Sequence, residues 1–329
     1  MKRINFILLI GITLISCNPE EGETVTPDTS QGIIYNNENS LERIAPIDIE
    51  FEEEEKVWMV SYSNRRLVYF DGISWTAFLP DESIEYINDV TIDNRNDKWV
   101  STPDNGIAKF DNDNWTYFNT DNSDIPSNQT YGIVADRYGG IWVGTDSGIA
   151  MLKNNEWKVY NTVNSDLTSN FISAIELNTN GDIWFATTKE LVQLTGDNLK
   201  INPFPEIHGS KAPKSLAILS SNEIWMDSHS SLLTFKDGLW NHKNSQDESN
   251  CLNDCDISDL IFAKNELWLA YNNTWSDCDV DGLWNYNTCT YKEVYLLNDF
   301  QKSGILTIAT SPEGKIWAGS INGILVFQP

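Results

Sequence analysis

Residues 277–282 read D-C-D-V-D-G, so the carboxylates of Asp277, Asp279 and Asp281 alternate ahead of a glycine. Alternating hard oxygens that run into a sharp turn can converge on one Ca²⁺. These three are therefore the candidate metal ligands, and calcium is the one cofactor expected. The alternative is a solvated acidic turn that opens the following strand. With Asp277 as the first position the twelfth is Thr288, which cannot supply a bidentate carboxylate. Four cysteines lie around the same stretch: Cys251, Cys255, Cys278 and Cys289. Their C-x₃-C and C-x₁₀-C spacings are unlike common zinc pairs, and His242 is the only histidine nearby. In an exported chain an even set of cysteines reads as disulfides. Sequence alone leaves the connectivity open, and at least one bridge from the Cys251/Cys255 pair to Cys278 is expected.

The elements that must position these groups are periodic. An anchor tryptophan recurs at Trp58, Trp99, Trp142, Trp184, Trp225, Trp268 and Trp317, with separations of 41, 43, 42, 41, 43 and 49 residues. Each copy runs in the same order: an apolar stretch, a polar turn, the Trp strand, a short turn commonly ending in Gly, and a third strand. A fourth strand opens on a second aromatic, at Trp75, Trp115, Trp157, Trp240 and Tyr291, with Leu199 in that place in the fourth copy. Short apolar or alternating runs between Gly, Asn and Asp turns are strand signals, and no helical stripe follows the N-terminal segment. Four strands per copy at this period is the spacing of a propeller blade. The expected fold is all-β, a seven-bladed β-propeller of four-stranded antiparallel blades. A lone blade would expose two apolar faces, so Trp142 and Trp157 read as wedges between blades rather than as sugar-stacking residues.

The final copy supplies three strands, and the stretch G-I-I-Y-N at 32–36 is the one apolar run left over. It is expected to pair with Gly323 to Phe327, so that the propeller spans residues 32–329 and its last blade is completed by the N-terminal strand. Loops joining second and third strands share a face with the loops between blades, and ligands usually bind propellers there. That placement selects Tyr62, Arg65, Tyr131, Asp146, Lys189, Lys214, His229 and Trp275 as ligand-face candidates. In the sixth copy the same turn is enlarged to residues 272–282, which explains the 49-residue spacing and carries the acidic string.

The first sixteen residues, M-K-R-I-N-F-I-L-L-I-G-I-T-L-I-S, combine a basic start with an apolar run too short to span a bilayer comfortably. Cys17 follows Ser16 directly, in a pattern that resembles the lipobox of bacterial lipoproteins. The resemblance implies a signal peptide over 1–16 and a lipidated Cys17. It also implies an exported, outer-membrane lipoprotein. Residues 17–31 read as a flexible acidic tether. Glu20, Glu21 and Glu23 resemble the export signal of surface lipoproteins in the Bacteroidetes. The acidic string at 277–282 is similar to the first half of an EF-hand-type loop. The I-W-V-G-T…G-I signature resembles the two-component regulator propeller repeats found in sensor regions of bacterial hybrid histidine kinases. That resemblance covers residues 44–329 and is clearest at 142–150 and 317–324. Copies one and five depart from it, with V-W-M-V-S-Y-S-N-R-R-L and I-W-M-D-S-H-S-S-L-L. It implies a ligand-sensing or scaffold fold rather than signalling by the chain itself.

The formal net charge is −26, with acidic residues scattered along the chain. Such a balance disfavours nucleic acid and anionic lipid headgroups, leaving the N-terminal lipid as the membrane contact and a monomer as the expected state. The expected function is a lipid-anchored binding module for a glycan, peptide or protein partner. The alternative is a propeller-fold enzyme, a polysaccharide lyase or hydrolase, using the same face. Sugar hydrolysis needs a placed carboxylate pair, but 48 Asp and Glu residues make such pairs uninformative. Of His208, His229 and His242 only His229 falls on the ligand face, and no G-x-S-x-G string is present. The chain is accordingly expected not to be an enzyme. The cysteine reading has a direct check. Alkylation of the denatured, unreduced protein should leave Cys251, Cys255, Cys278 and Cys289 unmodified by mass, and prior reduction should open all of them.

Overall fold

In a computed structural model of the chain, the described residues are 14–16, 32–35, 40, 44–62, 66–111, 114–205, 212–220, 223–228, 231–244, 252, 256–272, 282–287, 290–292 and 304–329. They form seven antiparallel sheets whose strands lie in chain order apart from two N-terminal edge strands, and the fold is a seven-bladed β-propeller. The blades span residues 46–78, 89–118, 130–160, 172–203, 216–243, 257–292 and 305–327. The fourth strand of the seventh blade is Ile33–Tyr35, paired as Ile33 with Val326, Ile34 with Leu325 and Tyr35 with Ile324. The expected junction of residues 32–36 with Gly323–Phe327 is therefore present. Thr290–Lys292, the outer strand of the sixth blade, is flanked by a fifth short strand, Leu14–Ser16. No described helix is long and apolar enough to cross a membrane.

By its contacts the chain divides into two units. One comprises residues 1–64, 68–77 and 243–329, the other residues 65–67 and 78–242. Within the second unit the blades cover one another's apolar faces. Trp142 packs with Ile172, Ile175, Ile183 and Phe185 of the following blade. Trp157 lies on the other side, in the cluster that holds Trp99 and Phe118 of the preceding blade. Both aromatics of the third repeat are thus wedges, one facing each neighbour. The next boundary repeats the pattern, with Trp184 among Leu216, Ile224, Met226 and Leu233. In the first unit Trp268 packs into the seventh blade and Trp317 into the first.

Backbone polar groups cross the same boundaries. The Asp89 carboxylate accepts the Ile133 amide at 2.8 Å, and Asp259 accepts that of Ile308 at 2.9 Å. These are equivalent positions on the first strands, so at both boundaries one carboxylate ties the innermost strand to the next.

The anchor indoles need acceptors because a buried donor left unpaired costs about 1–3 kcal/mol. In three blades a carboxylate six residues earlier supplies one: Glu52 for Trp58 at 3.0 Å, Asp93 for Trp99 at 3.1 Å and Asp136 for Trp142 at 2.8 Å. Asp136 also accepts the amides of Tyr138 and Gly140, so one carboxylate closes the turn and holds the wedge. Burial alone would raise the Asp93 carboxyl. Hydrogen bonds from Trp99 and from the Arg95 and Asp97 amides outweigh it and hold the group below its ordinary value. The sixth-residue position is Asn178, Phe262 or Ser311 before Trp184, Trp268 and Trp317. Those three indoles have no acceptor among the described residues.

Tyr35 is the aromatic on the closing strand. Its ring lies 5.1 Å from Phe70, 5.2 Å from Trp75 and 5.9 Å from Trp317, so it joins the first and seventh blades. Burial first, and the Glu55 charge second, keep its hydroxyl above the ordinary value, so it stays neutral. Tyr35→Ala removes this wedge and should lower unfolding stability by about 3 kcal/mol, read from the urea midpoint. A loss under about 0.5 kcal/mol would mean that the closing strand adds little.

Candidate functional site

The turns between second and third strands are built on a hydroxyl at the end of the second strand. Thr145 donates to the Gly148 carbonyl at 2.7 Å, and Thr187 accepts the amides of Lys189 and Glu190 at 2.9 and 3.0 Å. The third strand then opens on glycine in four blades, at Gly106, Gly148, Gly282 and Gly323, all with positive φ. Sterics require it, because a Cβ at Gly148 would stand 2.4 Å from the Tyr160 carbonyl oxygen.

The loops between blades meet these turns on one face, as expected. Asn105 reaches the Ser83 carbonyl at 3.0 Å, Gly106 donates to Asn128 at 2.9 Å and Lys189 Nζ to the Thr168 carbonyl at 3.1 Å. Two consecutive connections share the string N-T-x-N-S-D-x-x-S-N, at 119–128 and 161–170. They share its bonds too: Asn128 accepts the Thr120 amide and Asn170 the Thr162 amide, each at 2.8 Å. Side chains thus replace secondary structure in holding these loops.

Burial first, and the Asp146 charge second, push the Tyr131 hydroxyl above its ordinary value, so it remains a neutral donor. Phe171 adds an edge-on ring 4.9 Å from Tyr131. Sequence reasoning missed Phe171, since it lies one residue before the first strand of its blade. Ser169, which accepts the Phe171 amide, also bonds Thr188 at 3.0 Å. The loop at 168–171 therefore joins the aromatic pair to the turn that carries Lys189. Glu190 is 1% exposed, and its carboxylate accepts both the Thr168 amide, at 2.8 Å, and the Thr168 hydroxyl. It too was missed, and its signal was an acidic residue where four other copies have glycine.

The remaining candidates are separate. The Lys214 amide donates to buried Asp227 at 2.7 Å while its side chain is exposed. Tyr62 belongs to the other unit and is 57% exposed. Arg65, His229, Trp275, Cys17, the four other cysteines and Asp277, Asp279 and Asp281 lie outside the described residues. Among the described residues no three His, Cys, Asp or Glu side chains gather to hold a metal ion. His242 bonds Ser231 at 3.0 Å on the outer strand of its blade.

Residues 124–147, which run from the first of the paired loops through the Trp142 strand, match the family model of the two-component regulator propeller. The chain carries the two-component regulator propeller repeat. Among curated proteins none matches it by sequence. Solved structures do match this repeat chain in fold. The extracellular domain of a putative hybrid two-component system from B. thetaiotaomicron is similar at TM-score 0.70 and 17% identity, over 89% of this chain and 39% of that one. A streptogramin B lyase is similar at TM-score 0.68 and 16% identity, over 90% and 96%. YCF48 bound to D1 peptide follows at 0.65 and 14%, over 91% and 95%.

Glu190→Ala would leave the Thr168 amide and hydroxyl without their acceptor. The expected cost is about 2 kcal/mol, measured by urea denaturation. An unchanged midpoint would show that the loop does not depend on this carboxylate.

Proposed function

We propose that the protein is a sensor-like binding module, exported and held to the outer membrane through a lipid on Cys17. Its ligand face takes a glycan, peptide or protein partner. The observation that carries this reading is the half-buried Tyr131–Phe171 pair, on loops fixed by hydrogen bonds to a rigid frame. An apolar ring face that carries a neutral hydroxyl donor is chemistry for recognition. Likeness to the extracellular sensor domain supports the reading. The peptide complex named for YCF48 supports a peptide as one ligand class. The enlarged turn at 272–282 is proposed as an accessory to the same face, bridged by the cysteines and filled by calcium at Asp277, Asp279 and Asp281.

A glycan array and a peptide pull-down with the purified protein would identify a ligand. Tyr131→Ala and Phe171→Ala should then each weaken binding by about tenfold, the effect of losing an aromatic contact worth about 1.4 kcal/mol. Their unfolding midpoints serve as controls. The second reading, a propeller-fold lyase or hydrolase, is favoured by the near full-length match to a lyase. Turnover of a polysaccharide without any Tyr131-dependent binding would put it first.

A further inference from the structure

Three blades depart from glycine at the start of the third strand, with Arg66, Glu190 and Ser231 in its place. None of the three has positive φ, so the local backbone has been rebuilt to admit a side chain. A side chain introduced there should have a task. Glu190 holds Thr168. Ser231 donates to the Ser228 carbonyl at 2.5 Å and meets His242. Arg66 does neither. Its Nε is buried and has no acceptor, and no described carboxylate pairs with it.

Shortage of partners does not explain this, because the chain has 48 acidic residues against 22 basic ones. A guanidinium remains charged at any accessible pH and presents donors in a fixed fork. Leaving a buried donor of such a group unmatched is costly. The turn that leads into Arg66 places four residues between its strands, against two in the third blade. Arg66 therefore opens the third strand at the loop-face end of its blade, and it clusters with the unit that contains Tyr131 and Phe171.

We propose that Arg66 is an anion-recognition residue and that the ligand presents a carboxylate to it. The assignment rests on the ligand-face reading given above and adds the charge class of the ligand. Planar, bidentate pairing to a carboxylate satisfies the fork in a way that water at a half-buried site does not.

The test uses two matched probe pairs on the purified full chain. One is a galacturonate oligosaccharide and its methyl ester; the other is a glutamate-containing peptide and its amidated form. At least one acidic probe should bind at least tenfold more tightly than its neutral partner, and the pair that responds identifies the source of the carboxylate. Arg66→Gln should abolish that preference, and Arg66→Lys should restore only part of it, because the planar fork is gone. The urea midpoint of Arg66→Gln should stay level or rise, unlike that of Glu190→Ala. Failure of both acidic probes, equal binding of acidic and neutral forms, or a lowered midpoint for Arg66→Gln would overturn the proposal. If the acid preference depends on Arg66 but Tyr131→Ala binds normally, Arg66 stands and the Tyr131 site falls.

Discussion

A four-stranded blade has two apolar faces, and only its neighbours can cover them. Most of this structure follows from that constraint. It explains why Trp142 and Trp157, close in sequence, point into opposite boundaries, and why Trp184, Val143, Val192 and Ile324 are almost fully buried. It also explains the strand Ile33–Tyr35. Without it the third strand of the seventh blade would be an open edge, and the aromatic cluster around Trp317 would lose Tyr35.

The repeat was legible because every boundary needs a large wedge, and the wedge recurs as tryptophan at a nearly constant period. What surrounds the wedge was less legible. An indole N–H can be satisfied by any acceptor of suitable reach, and the chain uses three different solutions. Glu52, Asp93 and Asp136 sit six residues earlier, whereas Glu223 sits two residues before Trp225. Trp184, Trp268 and Trp317 have none among the described residues. The apolar area buried at each boundary can carry such local losses, so the polar pattern is free to drift from copy to copy. The paired loops at 119–128 and 161–170 escaped notice for a related reason. Asn, Ser and Asp runs read as generic loop, although here their side chains form a fixed set of hydrogen bonds.

For the site, loop position was the legible part. Tyr131 and Asp146 were selected from it alone, and the Asp146 charge is the second cause, after burial, that raises the Tyr131 hydroxyl. Phe171 was hidden by the uncertainty of a strand boundary. Glu190 was hidden by composition, since one acidic residue among 48 carries no signal until its neighbours are known. The opposite holds for Arg66. In an acidic chain a cation is informative, but Arg65 and Arg66 stand side by side and only the register of the third strand separates them.

The same acidity sets the terms on which an anion could be recognised. A net charge of −26 repels an anionic ligand at long range, although salt confines that field to about 8–10 Å near physiological ionic strength. Electrostatic steering therefore cannot be what favours such a ligand. Affinity has to arise at contact, where a guanidinium in a partly buried position is weakly screened and its geometry selects a planar oxyanion over other charges. A face lined with many lysines would draw in any polyanion. An arginine within a repulsive field admits only a ligand that also fits the surrounding loops, so the acidic background sharpens specificity at a cost in association rate.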